Sequence, residues 1–258
     1  MVDNRPPALN LFSMIWVGTS GFQYPEWKGT FYPETLSTAK MLPYYAGHFS
    51  TTEINYSFRR IPSEKTLTNW SAATPEQFRF SLKAPQEITH FRQLRDCADV
   101  LGRFCEALKT LGEKLGPVLF QLPPFLKNDN GLLKEFLATL PAGLQGAFEF
   151  RHDSWFNDKT FAALKSKNIA LCIADTEELS TPVVATADYD YFRLRNPAYT
   201  KKDIAHWAKI IDGQRKNSKD SYVYFKHEDA GTGPKFARQL LDDLGIEKPP
   251  SDELFPRA

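Results

Sequence analysis

The sequence predicts an α/β fold, a TIM-like (β/α)8 barrel with an irregular sixth crossover, and three observations lead to it. The 258 residues are 42% hydrophobic and 14% aromatic, enough to bury one sizeable core, and a barrel of this kind uses roughly 250 residues as a single domain. Short apolar or alternating runs at residues 15–19, 51–55, 78–83, 117–121, 147–151, 171–175, 189–195 and 222–226 read as strands. Segments with helical spacing and capping residues separate most of them, and strand then helix, repeated, is the barrel pattern.

Taken in order, residues 1–12 with Pro6 and Pro7 form a loose arm ahead of strand one. Ser63-Glu64-Lys65-Thr66-Leu67 opens a helix after strand two, and residues 99–115, 132–140 and 157–167 supply helices after strands three, four and five. Between Asp175 and Tyr189, Pro182 and the pair Val183-Val184 leave room only for a short or irregular crossover. Helices at 201–216 and 234–244 follow strands seven and eight, and a tail at 248–258 with three prolines wraps the surface of the single barrel domain, 1–258.

Thirty-two basic against thirty-one acidic side chains give a formal net charge of +1, so no global field attracts nucleic acid or an anionic membrane. No apolar run approaches the roughly 18 residues of a membrane span, and residues 1–12 lack a signal-peptide pattern, so a cytoplasmic protein without a membrane partner is expected. Cys97, Cys105 and Cys172 show no CxxC spacing and read as ordinary buried thiols. Gly18-Thr19-Ser20-Gly21 lacks the GK[ST] ending of a phosphate loop and the spacing of a GxSxG elbow, and no GxGxxG opens a helix. No cofactor is expected.

Residues two apart on a strand share a face, so polar residues recurring in phase mark the barrel interior. That phase places Glu53 and Asn55, Lys83, Gln121, Glu149 and Arg151, Asp175, Arg193 and Arg195, and Lys226 inward, mostly at the C-terminal strand ends where barrel enzymes work. Lys83, Arg151, Arg193, Arg195 and Lys226 against Glu53, Glu149 and Asp175 leave a surplus of two cations. Such charges either await an anionic ligand or close into an ion-pair network that stiffens the mouth. Glu149 is the first candidate for general acid/base chemistry, Glu53 its rival, and His152 a proton carrier or a hydrogen-bonded loop residue. Tyr24 and Trp155, in strand-end loops, could form a stacking wall, whereas Trp27 and Phe31 read as core. Glu149 and Asp175 on consecutive strands suggest a divalent metal, but Arg193, Arg195 and Lys226 stand where further ligands would be needed, so no metal is expected.

The chain resembles the YecE-like proteins, a family known as domain of unknown function number seventy-two. Val17-Gly18-Thr19-Ser20-Gly21-Phe22, the run from Trp27 to Pro33, the run from Phe49 to Phe58 and Ile61-Pro62-Ser63 carry the resemblance in the first quarter. It continues in Phe80-Ser81-Leu82-Lys83-Ala84-Pro85, Ile88-Thr89-His90, Gln121-Leu122-Pro123-Pro124, Phe148-Glu149-Phe150-Arg151-His152 with Trp155, and Tyr222-Val223-Tyr224-Phe225. The resemblance implies a TIM-like barrel and no particular activity. Where family members commonly have His-Gly and paired asparagines, this chain has Arg195-Asn196 and Lys226-His227, which makes its pocket more basic.

Two function classes follow. One is an enzyme acting by glutamate acid/base chemistry on an anionic small molecule or nucleotide fragment; the other is a non-catalytic module binding an anionic metabolite or nucleic-acid end. In a binder both glutamates titrate as paired carboxylates, whereas an acid/base catalyst needs one raised pKa. Oligomeric state is not legible.

Overall fold

In the computed structural model, which describes residues 13–176, 179–216 and 218–247, eight parallel strands close into a barrel in sequence order. They are β1 (Met14–Ser20), β2 (Thr51–Ile54), β3 (Arg79–Lys83), β4 (Leu115–Gln121), β5 (Gly146–Glu149), β6 (Ala170–Asp175), β7 (Tyr189–Leu194) and β8 (Asp220–Phe225). Around them lie α1 (Met41–Ala46), α2 (Tyr56–Arg59), α3 (Glu64–Ala72), α4 (Ala98–Leu108), α5 (Asn130–Thr139), α6 (Asp158–Lys165), α7 (Lys201–Gln214) and α8 (Thr232–Asp243). The arm at 1–12 and the tail at 248–258 lie outside the described residues. Among the described residues no helix is long and apolar enough to cross a membrane.

Side-chain hydrogen bonds fix several helix starts. Ser63 caps α3 by accepting from Thr66 N–H, Asp129 caps α5, and Asn157 caps α6 through two backbone N–H groups. Thr200 and Asp203 form a reciprocal capping box on α7. The helix expected over 99–115 differs from this plan: α4 stops at Leu108, a 3-10 segment follows to Lys114, and Leu115 already belongs to β4. Gly112, at φ 52°, makes that break, because a left-handed residue cannot continue a right-handed helix. The sixth crossover is irregular, as expected. Thr186 Oγ1 takes the Leu171 N–H and donates to Ile169 C=O there, replacing helical bonds with side-chain ones.

Two apolar layers follow from the period of two. Val17, Ile54, Phe80, Leu82, Val118, Phe120, Phe148, Phe150, Phe192, Leu194, Val223 and Phe225 pack outward against the helices. Inside, Trp16, Tyr189, Tyr191, Tyr222 and Tyr224 face Leu119, Ala147, Ala170, Cys172 and Ala174, so bulky rings from one side fill the space left by small residues on the other. Trp16 stacks on Tyr222 at 6.2 Å with the Arg79 guanidinium 5.0 Å from the indole, which plugs the N-terminal end. Higher up, Tyr224 OH bonds Thr51 Oγ1 at 2.8 Å and Ser81 Oγ at 2.7 Å. This floor carries the polar layer above it.

β1 and β2 approach so closely at Gly18 that a Cβ there would sit 2.0 Å from the Thr51 carbonyl oxygen. No rotamer relieves a clash with backbone. We expect Gly18→Ala to cost about 3 kcal/mol in urea unfolding, at the upper end of overpacking penalties; a loss under about 0.5 kcal/mol would show that the two strands are not held at that separation.

Candidate functional site

At the C-terminal half of the barrel one arginine organises the interior. Arg193, 1% exposed on β7, directs Nε to both Glu53 oxygens at 3.0 and 3.1 Å and Nη1 to Glu149 Oε2 at 2.9 Å. Its Nη2 lies 3.0 Å from Glu53 Oε1 and also reaches Ser20 Oγ at 3.3 Å and Asn55 Oδ1 at 3.5 Å. Tyr191 OH donates to Glu53 Oε2 at 2.7 Å, and the Ser20 hydroxyl donates to Glu53 Oε1 while accepting from Asn55 Nδ2. On the other side Gln121 Nε2 donates to Glu149 Oε1 at 2.8 Å, its Oε1 accepts from Lys83 Nζ at 2.6 Å, and Arg195 Nη1 reaches Glu149 at 3.5 Å. Strands β1, β2, β3, β4, β5 and β7 thus meet in one hydrogen-bonded layer.

Electrostatics follow from this geometry. Burial alone would raise the carboxyl pKa of Glu53, but Arg193 and the bonds from Ser20 and Tyr191 outweigh it and hold it below the ordinary value. Glu149 is likewise lowered against its burial, by Arg193, Arg195 and Gln121. Burial works against the Arg193 cation too, and Glu53 and Glu149 together overcome it. Both glutamates are therefore ionised partners of arginine, and neither has the raised pKa of an acid catalyst. In this geometry both carboxylates are engaged by Arg193.

The remaining expected residues divide. Asn55, Arg151, Arg195 and Lys226 stand just past the ends of their strands rather than within them. Lys226 Nζ pairs with Glu228. Tyr24 donates to Ser20 C=O at 2.9 Å and lines, with Asn55 and Tyr56, a cleft of about 350 Å³ beside β1 and β2. His152 caps the turn after β5, its Nδ1 accepting from Ser154 N–H at 3.2 Å, beside Asp153 at 3.0 Å. Together with Arg151 and Thr181 it lines a second cleft, of about 250 Å³, between the ends of β5 and β6.

Two assignments need correction. Asp175 shares the phase of Leu171 and Ile173, which pack outward, whereas Ala170, Cys172 and Ala174 are the inner residues of β6. Its carboxylate accepts from Tyr199 OH at 2.7 Å, and that ring packs on Phe225 and Phe236 under the helices. Trp155 is fully buried, stacked on Phe150 at 4.6 Å with its N–H on Leu126 C=O, so it is core and not a stacking wall. Tyr191 was missed, although it sits two residues before Arg193 on the same face. Among the described residues no group of three His, Cys, Asp or Glu is placed to share a metal ion.

With Asp175 outside, five cations face Glu53, Glu149 and Glu228, while Asp153, which also lines the Arg151 cleft, sits beside His152. Arg193 and Arg195 offset Glu53 and Glu149, and Glu228 offsets Lys226. Lys83 and Arg151 are left over, and among the described residues neither forms an ion pair.

The family described as "Protein of unknown function DUF72" matches residues 16–257. The chain belongs to the DUF72 family. Over 273 residues it is 25% identical to UPF0759 protein YunF of Bacillus subtilis, covering 91% of this chain and 96% of that one. It is 29% identical over 144 residues to UPF0759 protein YecE of Escherichia coli K12, covering 55% and 50% of the two chains. A DUF72 crystal structure from Thermotoga maritima superposes with a TM-score of 0.81 at 26% identity, over 90% of this chain and 99% of that one. One from Enterococcus faecalis gives 0.80 at 21% identity, over 95% and 99%. The closed barrel of this DUF72 chain is thus the fold of its family.

Removing either glutamate takes from Arg193 one of its two counterions and leaves buried donors, Tyr191 and Ser20 at Glu53 or Gln121 at Glu149, without their acceptor. Glu53→Ala should therefore lower unfolding free energy by about 3–5 kcal/mol, and Glu149→Ala by a similar amount; a loss below about 1 kcal/mol for both would remove the network from the account of stability. Because the native carboxyl values lie below the ordinary 4.5, this contribution is complete above that pH and is lost as pH falls through the lowered values.

Proposed function

We propose that this DUF72 protein binds a small anionic molecule at the C-terminal mouth of its barrel. The phosphate or carboxylate rests against Arg151, with Arg195 and Lys83 adding positive potential from the ends of β7 and β3. The observation that carries this reading is Arg151 itself: a partly buried guanidinium that lines a cleft of about 250 Å³ and has no hydrogen-bond or ion-pair partner among the described residues. Guanidinium forks suit phosphate and carboxylate. Arg195 supports it, since its one contact to Glu149 is long, at 3.5 Å, and its burial beside Arg193 disfavours its charge. An arriving anion would relieve both groups.

Glutamate acid/base chemistry forms no part of this reading, because Glu53 and Glu149 are occupied by Arg193. The glutamates and Arg193 build the floor; the ligand belongs to the rim. A nucleotide fragment or a phosphorylated or carboxylated metabolite satisfies the chemistry equally.

Thermal unfolding with inorganic phosphate, glycerol phosphate and citrate tests it, against sodium chloride at matched ionic strength. Stabilisation should follow ligand saturation, amounting to about 2.7 kcal/mol at a hundredfold excess over Kd. Arg151→Gln should weaken the apparent affinity by about tenfold or more, the weight of one charged hydrogen bond. Equal shifts in wild type and variant, or equal shifts with chloride, would contradict it.

A further inference from the structure

The second leftover cation has a different chemistry. Lys83 ends β3 on the inner face, 8% exposed. Its Nζ donates to the neutral Gln121 amide and lies 3.9 Å from the centroid of the Phe58 ring. Neither neighbour carries a formal negative charge; the Phe58 ring face attracts the ammonium only through its quadrupole. Facing it across the mouth are Arg193 and Lys226, which oppose its protonation, and Glu149 and Glu53, which favour it but are already paired with Arg193. His90, whose edge meets Phe58, stands on the third side, itself disfavoured as a cation by burial and by Lys83 and Arg151. Burial, followed by the Arg193 charge, brings the Lys83 pKa down to about 8. Roughly a tenth of this amine is therefore unprotonated at pH 7 and about half at pH 8, unlike a solvent-exposed lysine near 10.4.

We propose that Lys83 is a nucleophilic amine that forms an imine with a small anionic aldehyde held in the mouth. The inference rests on the anion site proposed above and names the substrate class for it: a molecule with a carbonyl for Lys83 and a phosphate or carboxylate for Arg151. The nitrogen lone pair of neutral Lys83 attacks the carbonyl carbon, and the C=O π electrons pass to oxygen. That oxygen gains a proton from solvent and the nitrogen loses one, giving a carbinolamine. The carbinolamine expels its oxygen as water and leaves C=N. Amine and aldehyde become imine and water, so no oxidant or reductant is involved. The hydrogen bond to Gln121 Oε1 keeps the nitrogen in place and, being made to an uncharged acceptor, does not lock it as an ammonium.

Pyridoxal 5′-phosphate is a suitable probe, because it joins an aldehyde to a phosphate on a small ring. The folded protein is treated with it, the imine is reduced with borohydride, and the modified lysine is located by peptide mapping. Lys83 should carry most of the label, with an initial rate half-maximal near pH 8. Pyridoxal without the phosphate should label it about tenfold more slowly, and Arg151→Gln should remove that advantage. A Lys83→Arg protein, which keeps the positive charge and the Gln121 contact, should lose the specific label. Label spread over surface lysines such as Lys201 and Lys202, with no preference for Lys83, would overturn the inference. If phosphate still stabilised the protein in that case, the anion site would stand without the amine chemistry. Equal labelling of Lys83 by the two aldehydes would instead overturn the anionic substrate class, and the anion site with it.

Discussion

Almost everything at the open end of this barrel depends on placing Arg193 where water cannot reach it. A guanidinium at 1% exposure needs counterions inside the protein, and two carboxylates from opposite walls, Glu53 on β2 and Glu149 on β5, supply them. Their remaining lone pairs then need donors, which fixes Ser20, Tyr191 and Gln121 in turn. Two negative charges against one positive leave the core short of a cation, which brings Arg195 toward Glu149. Interior packing obeys the same constraint. The tyrosines of β7 and β8 fill the barrel below the charges, beside the small residues of β5 and β6, so the ion pairs rest on a packed floor.

Much of this was legible as alternation. Phe148-Glu149-Phe150 and Phe192-Arg193-Leu194 alternate bulky apolar with charged residues, and two neighbouring strand residues cannot share a face, so the inward direction of Glu149 and Arg193 followed from sequence. β6 failed because only its last residue is charged. Reading Asp175 inward required ignoring that Leu171 and Ile173, in the same phase, are the bulky members, while Ala170, Cys172 and Ala174 are the small ones that a crowded interior admits. Trp155 was misplaced for another reason: loop residues have no period, and only tertiary contact shows that its indole lies on Phe150.

Charge counting on the sequence took Asp175 into the mouth and left Glu228 out of it. What it could not give was which cations were committed. That depends on distances between strands far apart in sequence, such as the 140 residues separating Glu53 from Arg193. These pairings engage both glutamates with Arg193 and leave Arg151 and Lys83 without an ion pair among the described residues.

Glu53 and Glu149 are partners of Arg193 that stay ionised through the ordinary carboxyl range. A pH titration of the protein with 13C-labelled glutamate carboxyls, followed by NMR, reads this directly, with Glu53→Gln and Glu149→Gln proteins used to assign the two signals. Both carboxyls should stay ionised down through the ordinary value of 4.5 and gain protons only below it. A signal from either residue that titrates at or above pH 6, as a general acid would, contradicts the account and returns that glutamate to the chemistry of the site.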